Sequence, residues 1–216
     1  MTSINDLTLA DIMSAQVHAL RPDHTLDDAL KMMADSRVSC LVVMREGQPI
    51  GILTEQDMVR LFTTHVKLET PVIQVMSTPA VTAAATLDFR AGYHLLLGHR
   101  IRHLIVLDER QQSLGIVTET DFRTHLGLDL FRRTQDLRSA MDSRFAALPL
   151  TVNLTDTIQR MADEKWDCVI AMQEDEAVGI LTERDIPRLL ASHVDTDTVL
   201  LQDVMSKPVK TISVRD

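Results

Sequence analysis

Gly51-Ile52-Leu53-Thr54-Glu55-Gln56-Asp57 is the stretch that decides how this 216-residue chain folds, because it occurs three times. It returns as Gly115-Ile116-Val117-Thr118-Glu119-Thr120-Asp121 and as Gly179-Ile180-Leu181-Thr182-Glu183-Arg184-Asp185, with a step of 64 residues each time (51 to 115, 115 to 179). A fixed period indicates one supersecondary unit that is used repeatedly. It also argues against an enzyme, because a pair of acid–base carboxylates needs two unlike environments.

A second landmark marks where each unit opens, at Met13-Ser14, Met76-Ser77, Met141-Asp142 and Met205-Ser206. After each opening the pattern predicts a short strand, an amphipathic helix, an apolar strand, a polar turn, a second strand and a second helix. The fold class is therefore α/β (α+β), with repeated β-α-β-β-α motifs that form small three-stranded sheets and helices. The expected boundaries are 1–68, 69–138 and 139–195 for three motifs, and 196–216 for a fourth.

Several elements can be placed from the pattern. We expect a helix over 26–35 and strands over 40–44, 104–107 and 168–172, with Thr25 and Thr155 as helix N-caps. The stretch 126–139 should extend the second helix of motif 2 and link two halves. Because the fourth motif has only its opening, we expect the chain to be a fragment of a longer protein.

Composition excludes several function classes. The net charge of −9 and the isoelectric point of about 5.3 disfavour binding to nucleic acid or to an anionic membrane surface, which both need a basic face. No signal peptide is recognisable, and no apolar run approaches the roughly 18 residues of a membrane span. These features predict a cytoplasmic protein without a membrane partner.

Cysteine and histidine give no sign of a metal site or a disulfide. Cys40 and Cys168 lie 128 residues apart inside apolar runs and are expected to be buried thiols. The eight histidines lack metal-ligand spacing. Trp166 is expected to pack in a core or an interface.

The repeated residues resemble the CBS domain family. The resemblance rests on Met76-Ser77-Thr78-Pro79, on Ile101-Arg102-His103-Leu104-Ile105-Val106 and on the three Gly-Ile-x-Thr phrases, and it covers nearly the whole chain. It implies that two motifs pack through their sheets as a pseudo-twofold module. The resemblance also implies a module of a kind that often binds AMP, ADP, ATP or S-adenosylmethionine between motifs, usually regulates an attached domain and often forms homodimers. We expect no required cofactor.

Three Thr-x-x-Asp pairs are candidate ligand residues, and each has two interpretations. In a nucleotide cradle, the Asp carboxylate would accept hydrogen bonds from ribose hydroxyls, and the Thr hydroxyl with helix N-terminal N–H groups would face phosphate. In a capping box, Thr would be the N-cap of a helix with an acid three residues on. The pairs are Thr54 with Asp57, Thr118 with Asp121, and Thr182 with Asp185.

Motif 2 is the favoured site, since Arg102 and His103 stand at the start of its central strand and Thr82 on its first strand. Guanidinium and imidazole suit phosphate, although a solvated Arg–His pair is the alternative. Motif 1 has Ser39 and Cys40 there. Motif 3 has Asp167, which would repel phosphate.

Pro187 is also out of place in motif 3 unless its second helix begins near Asp185. That would commit Asp185 to capping, so the usual site is doubtful in this motif.

Two functions remain open. The first is an adenine-nucleotide sensor that controls a C-terminal signalling domain, and the tract 118–127 is similar to CBS arrays ahead of bacterial diguanylate cyclases and phosphodiesterases. The second is a ligand-free dimerisation scaffold.

Overall fold

The computed structural model describes residues 6–132 and 146–211. Motif 1 contains α1 (Leu9–Ile12), β1 (Ala19–Leu20), α2 (Leu26–Ser36), β2 (Cys40–Arg45), β3 (Gln48–Thr54) and α3 (Glu55–Thr63). Motif 2 contains β4 (Thr82–Ala84), α4 (Phe89–His99), β5 (His103–Leu107), β6 (Ser113–Thr118) and α5 (Glu119–Arg132). Motif 3 contains β7 (Ala147–Pro149), α6 (Leu154–Glu164), β8 (Cys168–Gln173), β9 (Glu176–Thr182) and α7 (Ile186–Ala191), and α8 (Leu201–Val204) follows it.

Each motif has its own three-stranded sheet, in the order β1-β2-β3, β4-β5-β6 and β7-β8-β9. The first strand of each sheet runs parallel to the central strand, and in motifs 2 and 3 the third strand is antiparallel to it. The parallel pair is joined through the first helix and the antiparallel pair through a short turn, as strand direction requires. The predicted β-α-β-β-α motif is confirmed.

The described chain divides into two compact units that cut through motif 1. The first unit contains α1, β1, β2, most of β3, and motif 2. Within it the sheets of motifs 1 and 2 share a core, to which Val42 contributes from β2, and Ile105 and Ile116 from β5 and β6. A second cluster joins the other face of β5 and β6 to α1, α4 and α5 through Leu9, Phe89 and Phe122. The predicted packing of two motifs through their sheets is therefore present.

The second unit contains α2, α3, motif 3 and α8. Here the motifs meet through helices, since α2 packs against α7 and α3 packs against α6. Val59 of α3 belongs to the same core cluster as Ile158, Met161 and Leu189. Trp166 packs against this cluster, as expected from the sequence.

The two repeated sequence landmarks contact each other. Ser77 and Ile52 exchange two backbone hydrogen bonds of 2.9 and 3.0 Å, and Ser14 with Ile116, and Ser206 with Ile180, do the same. The Met before each Ser lies over the Gly before each Ile: Met76 over Gly51, Met13 over Gly115 and Met205 over Gly179. The Met-Ser opening of one motif is thus hydrogen-bonded to the repeated phrase of another motif.

Helix caps confirm one prediction and correct another. Thr25 caps α2, with its hydroxyl oxygen accepting from the Asp28 N–H at 3.1 Å. The prediction for Thr155 was wrong, because α6 begins two residues earlier and its N-cap is Asn153, whose Oδ1 accepts from the Asp156 N–H at 2.7 Å. Asn is as good an N-cap as Thr, and Thr155 instead bonds through its hydroxyl to Thr196 and Asp197.

The predicted extension of the second helix of motif 2 is confirmed as far as Arg132. Its remainder, up to residue 139, lies outside the described residues.

The Gly–Met contact predicts opposite effects for two Gly→Ala substitutions. A Cβ at Gly115 would lie 2.6 Å from the Ser14 carbonyl oxygen and 2.8 Å from Met13 Sδ, so Gly115→Ala should cost about 1–3 kcal/mol of unfolding free energy. A Cβ at Gly98, inside α4, meets nothing within 4 Å, so Gly98→Ala should stabilise by up to about 1 kcal/mol. Urea unfolding measures both, and equal effects of the two substitutions would contradict the assignment.

Candidate functional site

All three Thr-x-x-Asp pairs form the same local structure. In each, the Thr backbone N–H and its hydroxyl donate to one carboxylate oxygen, Oδ2, of the Asp. The two distances are 2.9 and 2.8 Å for Thr54 with Asp57, 2.7 and 2.8 Å for Thr118 with Asp121, and 2.9 and 2.9 Å for Thr182 with Asp185. The capping interpretation is confirmed in this respect, and it fixes the orientation of each carboxylate at a strand–helix junction.

A backbone hydrogen bond holds the start of the central strand next to each Thr–Asp pair. The N–H after the Thr donates to the carbonyl of the residue before that strand: Glu55 to Ser39 at 3.1 Å, Glu119 to Arg102 at 3.1 Å and Glu183 to Asp167 at 2.9 Å. The side chains at these three positions differ, so the chemical group next to each Asp differs as well. A cation stands there in motif 2, a hydroxyl in motif 1 and an acid in motif 3.

In motif 2 the sheet brings together the residues that the sequence singled out. His103 is directly opposite Thr118 in the antiparallel pair, and Thr82 is beside Ile105 in the parallel pair. Because successive strand residues alternate between faces, His103, Thr118 and Thr82 share the face of Ile105 and Ile116. That face packs on the sheet of motif 1, so these half-buried side chains lie on the sheet–sheet face of the first unit.

The second carboxylate oxygen of each Asp separates the motifs. In motif 1, Arg60 donates from Nη2 to Asp57 Oδ1 at 3.1 Å. In motif 3, Arg188 Nη2 lies 3.7 Å from Asp185 Oδ1. Motif 2 has Thr124 at this position, and the Thr124 hydroxyl donates to the Thr120 carbonyl at 2.9 Å.

Asp121 Oδ1 therefore has no cation or hydrogen-bond donor within the described part of the chain. It is held in place through Oδ2 while its other oxygen can accept hydrogen bonds from a bound molecule. Asp57, by contrast, is only 8% exposed and has Arg60 on its outer oxygen.

Motif 3 departs further from this arrangement. A 3-10 turn spans Glu183–Asp185, and α7 begins only at Ile186, which places Pro187 in the first turn where it is tolerated. The predicted late start of this helix is confirmed, with Asp185 at the N-cap position. The predicted capping by Asp185 was wrong, because its side chain makes no capping hydrogen bond to α7 and its Oδ2 accepts from Thr182 instead. Burial, and then the carboxylates of Asp167 and Glu183, raise the pKa of the Cys168 thiol. An anion would be repelled by the same two carboxylates.

The contribution of Arg60 and Arg188 was not predicted from the sequence. The sequence contains the information, because an Arg follows the Asp by three residues in motifs 1 and 3. Thr124 stands in place of that Arg in motif 2. Residues three apart on a helix are neighbours. Arg184 was not predicted to contribute either. Its Nε lies 3.7 Å from Oε1 of the buried Glu55, and this ion pair joins motif 3 to motif 1 within the second unit.

Two absences hold for the described residues. No group of three or more His, Cys, Asp or Glu side chains among them could hold a metal ion. No helix in the described ranges is both long and apolar enough to span a membrane.

The chain belongs to the CBS domain family, because the family profile matches residues 9–63, 72–127 and 136–192. It is 30% identical over 115 residues to the CBS domain-containing protein YhcV of Bacillus subtilis, covering 53% of this chain and 81% of that protein. It is 23% identical over 213 residues to the uncharacterized protein MJ1404 of Methanocaldococcus jannaschii, covering 88% of this chain but only 51% of that protein.

Solved structures share the fold. Protein MJ1225 of Methanocaldococcus jannaschii superposes with a TM-score of 0.80 at 17% identity, over 95% of this chain and 84% of that one. The CBS protein PAE2072 of Pyrobaculum aerophilum, solved in complex with AMP, gives 0.51 at 18% identity over 53% and 89%. The CBS pair of MJ0100, solved with methylthioadenosine and S-adenosylmethionine, gives 0.52 at 20% identity over 56% and 96%.

The capping geometry predicts the stability cost of removing each Asp. Asp121→Ala should lower the unfolding free energy by about 1 kcal/mol through loss of the cap and should leave the fold intact. Asp57→Ala should cost more, because that carboxylate is buried and also holds Arg60. Urea unfolding of the two variants is the measurement. A larger loss for Asp121→Ala would contradict the observed hydrogen bonding.

Proposed function

We propose that this chain is a cytoplasmic regulatory module that binds an adenine nucleotide at motif 2 and has no catalytic activity of its own. The observation that carries the proposal is the carboxylate of Asp121, which Thr118 fixes through one oxygen and which leaves the other open. The corresponding oxygens of Asp57 and Asp185 face Arg60 and Arg188. The open oxygen of Asp121 would accept hydrogen bonds from ribose hydroxyls, whereas an arginine would compete for the same oxygen in motifs 1 and 3.

The neighbouring side chains suit the rest of a nucleotide. Arg102 and His103 supply donors for a phosphate at the start of β5, and Arg is the residue best matched to phosphate geometry. The Thr118 hydroxyl and Thr82 line the same sheet face. We propose that Thr54 with Asp57, and Thr182 with Asp185, do not form working nucleotide sites, because Arg60 and Arg188 face their carboxylates. In motif 3, Asp167 and Glu183 also oppose an anion.

Two structural relatives support the ligand class, since one was solved with AMP and one with S-adenosylmethionine and methylthioadenosine. The adenosine moiety is common to these molecules, and Asp121 would recognise its ribose. The candidates are therefore AMP, ADP, ATP and S-adenosylmethionine, with no cofactor required.

Regulation would follow from linkage. A nucleotide that binds one arrangement of the motifs better shifts the population toward it by its differential affinity. We propose that the output is a signalling domain on the C-terminal side, with cyclic-di-GMP turnover as the leading activity, on the resemblance of the tract 118–127. Turnover of cyclic-di-GMP by the full-length gene product, compared with and without AMP, tests this part alone, and no effect of AMP would refute it.

A dimerisation scaffold is the alternative, and one observation favours it. On the sheet face of motif 3, Cys168 and Ile170 are only half-buried, whereas Cys40 and Val42 at the matching positions of motif 1 are buried in the first unit. A second copy of the chain could cover that face. In this alternative no nucleotide would stabilise the protein.

A ligand screen by thermal unfolding separates the two functions. AMP, ADP, ATP, S-adenosylmethionine and cyclic-di-GMP are added in turn, and a ligand that binds only the folded state stabilises it by about 2.7 kcal/mol at a hundredfold excess over its Kd. We expect a selective rise in Tm with one adenine nucleotide. No shift with any of them would favour the scaffold.

Matched variants give the screen its controls. Asp121→Ala should abolish the nucleotide shift, and Asp185→Ala, which loses the same type of cap, should retain it. Thr124→Arg should weaken the shift by placing a guanidinium where Arg60 stands in motif 1. Light scattering should give an unchanged mass for Asp121→Ala. Retention of the full shift in both Asp121→Ala and Thr124→Arg would refute the assignment to motif 2.

A further inference from the structure

A cavity of about 460 Å³ lies in the second unit, between the helices of motif 1 and the end of α7. Nine of its twelve lining side chains are apolar. Its floor is made of core residues that are almost fully buried, with Leu30 and Met58 each 1% exposed. None of the Thr-x-x-Asp residues lines this cavity, so it is separate from the candidate site of motif 2.

The size and lining of the cavity indicate the kind of occupant. Small-molecule sites are typically about 300–1,000 Å³, mostly apolar, with a few placed polar groups. A volume of about 460 Å³ lies within the range of small-molecule sites, so we take a small molecule as the occupant.

Two histidines supply most of the polar lining. His65 and His193 occupy equivalent positions, each just after the second helix of its motif, and both line the cavity. Their backbones are fixed alike, since the His65 N–H donates to the Phe62 carbonyl at 3.0 Å and the His193 N–H donates to the Leu190 carbonyl at 3.0 Å. One imidazole from motif 1 and one from motif 3 thus border a single cavity.

Asp27 places a carboxylate next to the ring of His193. Lys31 occupies one oxygen of Asp27, with Nζ to Oδ2 at 2.6 Å, while Oδ1 is buried and has no hydrogen-bond partner among the described residues. His193 Nε2 lies 3.8 Å from this Oδ1, which is too long for a hydrogen bond but close enough for attraction. A neutral imidazole has one acceptor nitrogen, so the His193 ring, which lines the cavity, can accept a hydrogen bond from a molecule bound there.

We propose that this cavity binds a small, neutral, largely apolar molecule that carries one hydrogen-bond donor, such as an aryl amine, a phenol or an indole. The ring system would bury its surface against Leu30, Met58 and Phe62, and its donor would bond to His193. An anionic group would be disfavoured, because it would be brought near the buried Asp27 oxygen. Since the cavity is shared by helices of motifs 1 and 3, the molecule would stabilise their packing.

Fluorescence titration of the full chain with two related dyes tests the proposal. N-phenylnaphthylamine is neutral, apolar and has one N–H donor, and anilinonaphthalene sulfonate adds an anionic group to the same rings. We expect the neutral dye to bind at least tenfold more tightly than the sulfonate. Absence of neutral-dye binding, or equal affinity for the two dyes, would overturn the proposal.

Variants locate the binding. Val66→Phe fills the cavity with a larger side chain and should weaken neutral-dye binding at least tenfold, whereas Leu97→Phe, the same kind of enlargement at a position that is 55% exposed on α4, should leave it unchanged. His193→Phe keeps a ring but removes the acceptor and should weaken binding about threefold to tenfold.

A second filling variant guards against misfolding. If Val66→Phe loses its cooperative thermal transition, Leu68→Trp fills the same volume from the loop after α3. Dye binding that neither filling variant weakens would show that the dye binds elsewhere, and the proposal would fail. AMP should not compete with the dye, so a failure here is distinguishable from a failure of the nucleotide site.

Discussion

The fold depends on one recurrent contact, in which the Met-Ser opening of one motif is hydrogen-bonded to the Gly-Ile of another motif. The Ser and the Ile exchange two backbone hydrogen bonds, and the Met side chain lies where a Cβ on the Gly would be. Only a glycine leaves room for that approach. Both landmarks that define the 64-residue period are therefore two sides of one interaction, which explains why they are the parts of the sequence that change least between units.

Motif 1 has a special position because it serves two different packings. Its sheet shares a core with the sheet of motif 2 in the first unit, and its helices share a core with motif 3 in the second. The repeated phrase 51–57 passes from the first unit to the second between Ile52 and Leu53.

The period and the alternation of apolar residues were enough to predict the three sheets and the main helices, and Pro187 predicted the late start of α7. What they did not predict follows from interactions between side chains. Thr155 was wrongly chosen as an N-cap because Asn153, equally suited, stands two residues earlier. Arg60 and Arg188 were overlooked because their effect on Asp57 and Asp185 depends on helix geometry. The cavity between motifs 1 and 3 could not be predicted, since it needs the pairing of non-consecutive motifs. The predicted homodimer stays a prediction.

We propose that one of the three nearly equivalent junctions is a working site, because Thr124 leaves Asp121 Oδ1 open while an arginine faces the same oxygen in the other two. Isothermal titration of the chain with the adenine nucleotide that raises its Tm measures the number of sites directly. We expect a stoichiometry of one nucleotide per chain. A stoichiometry of two or three would show that the arginines do not close the other sites, and would contradict the claim.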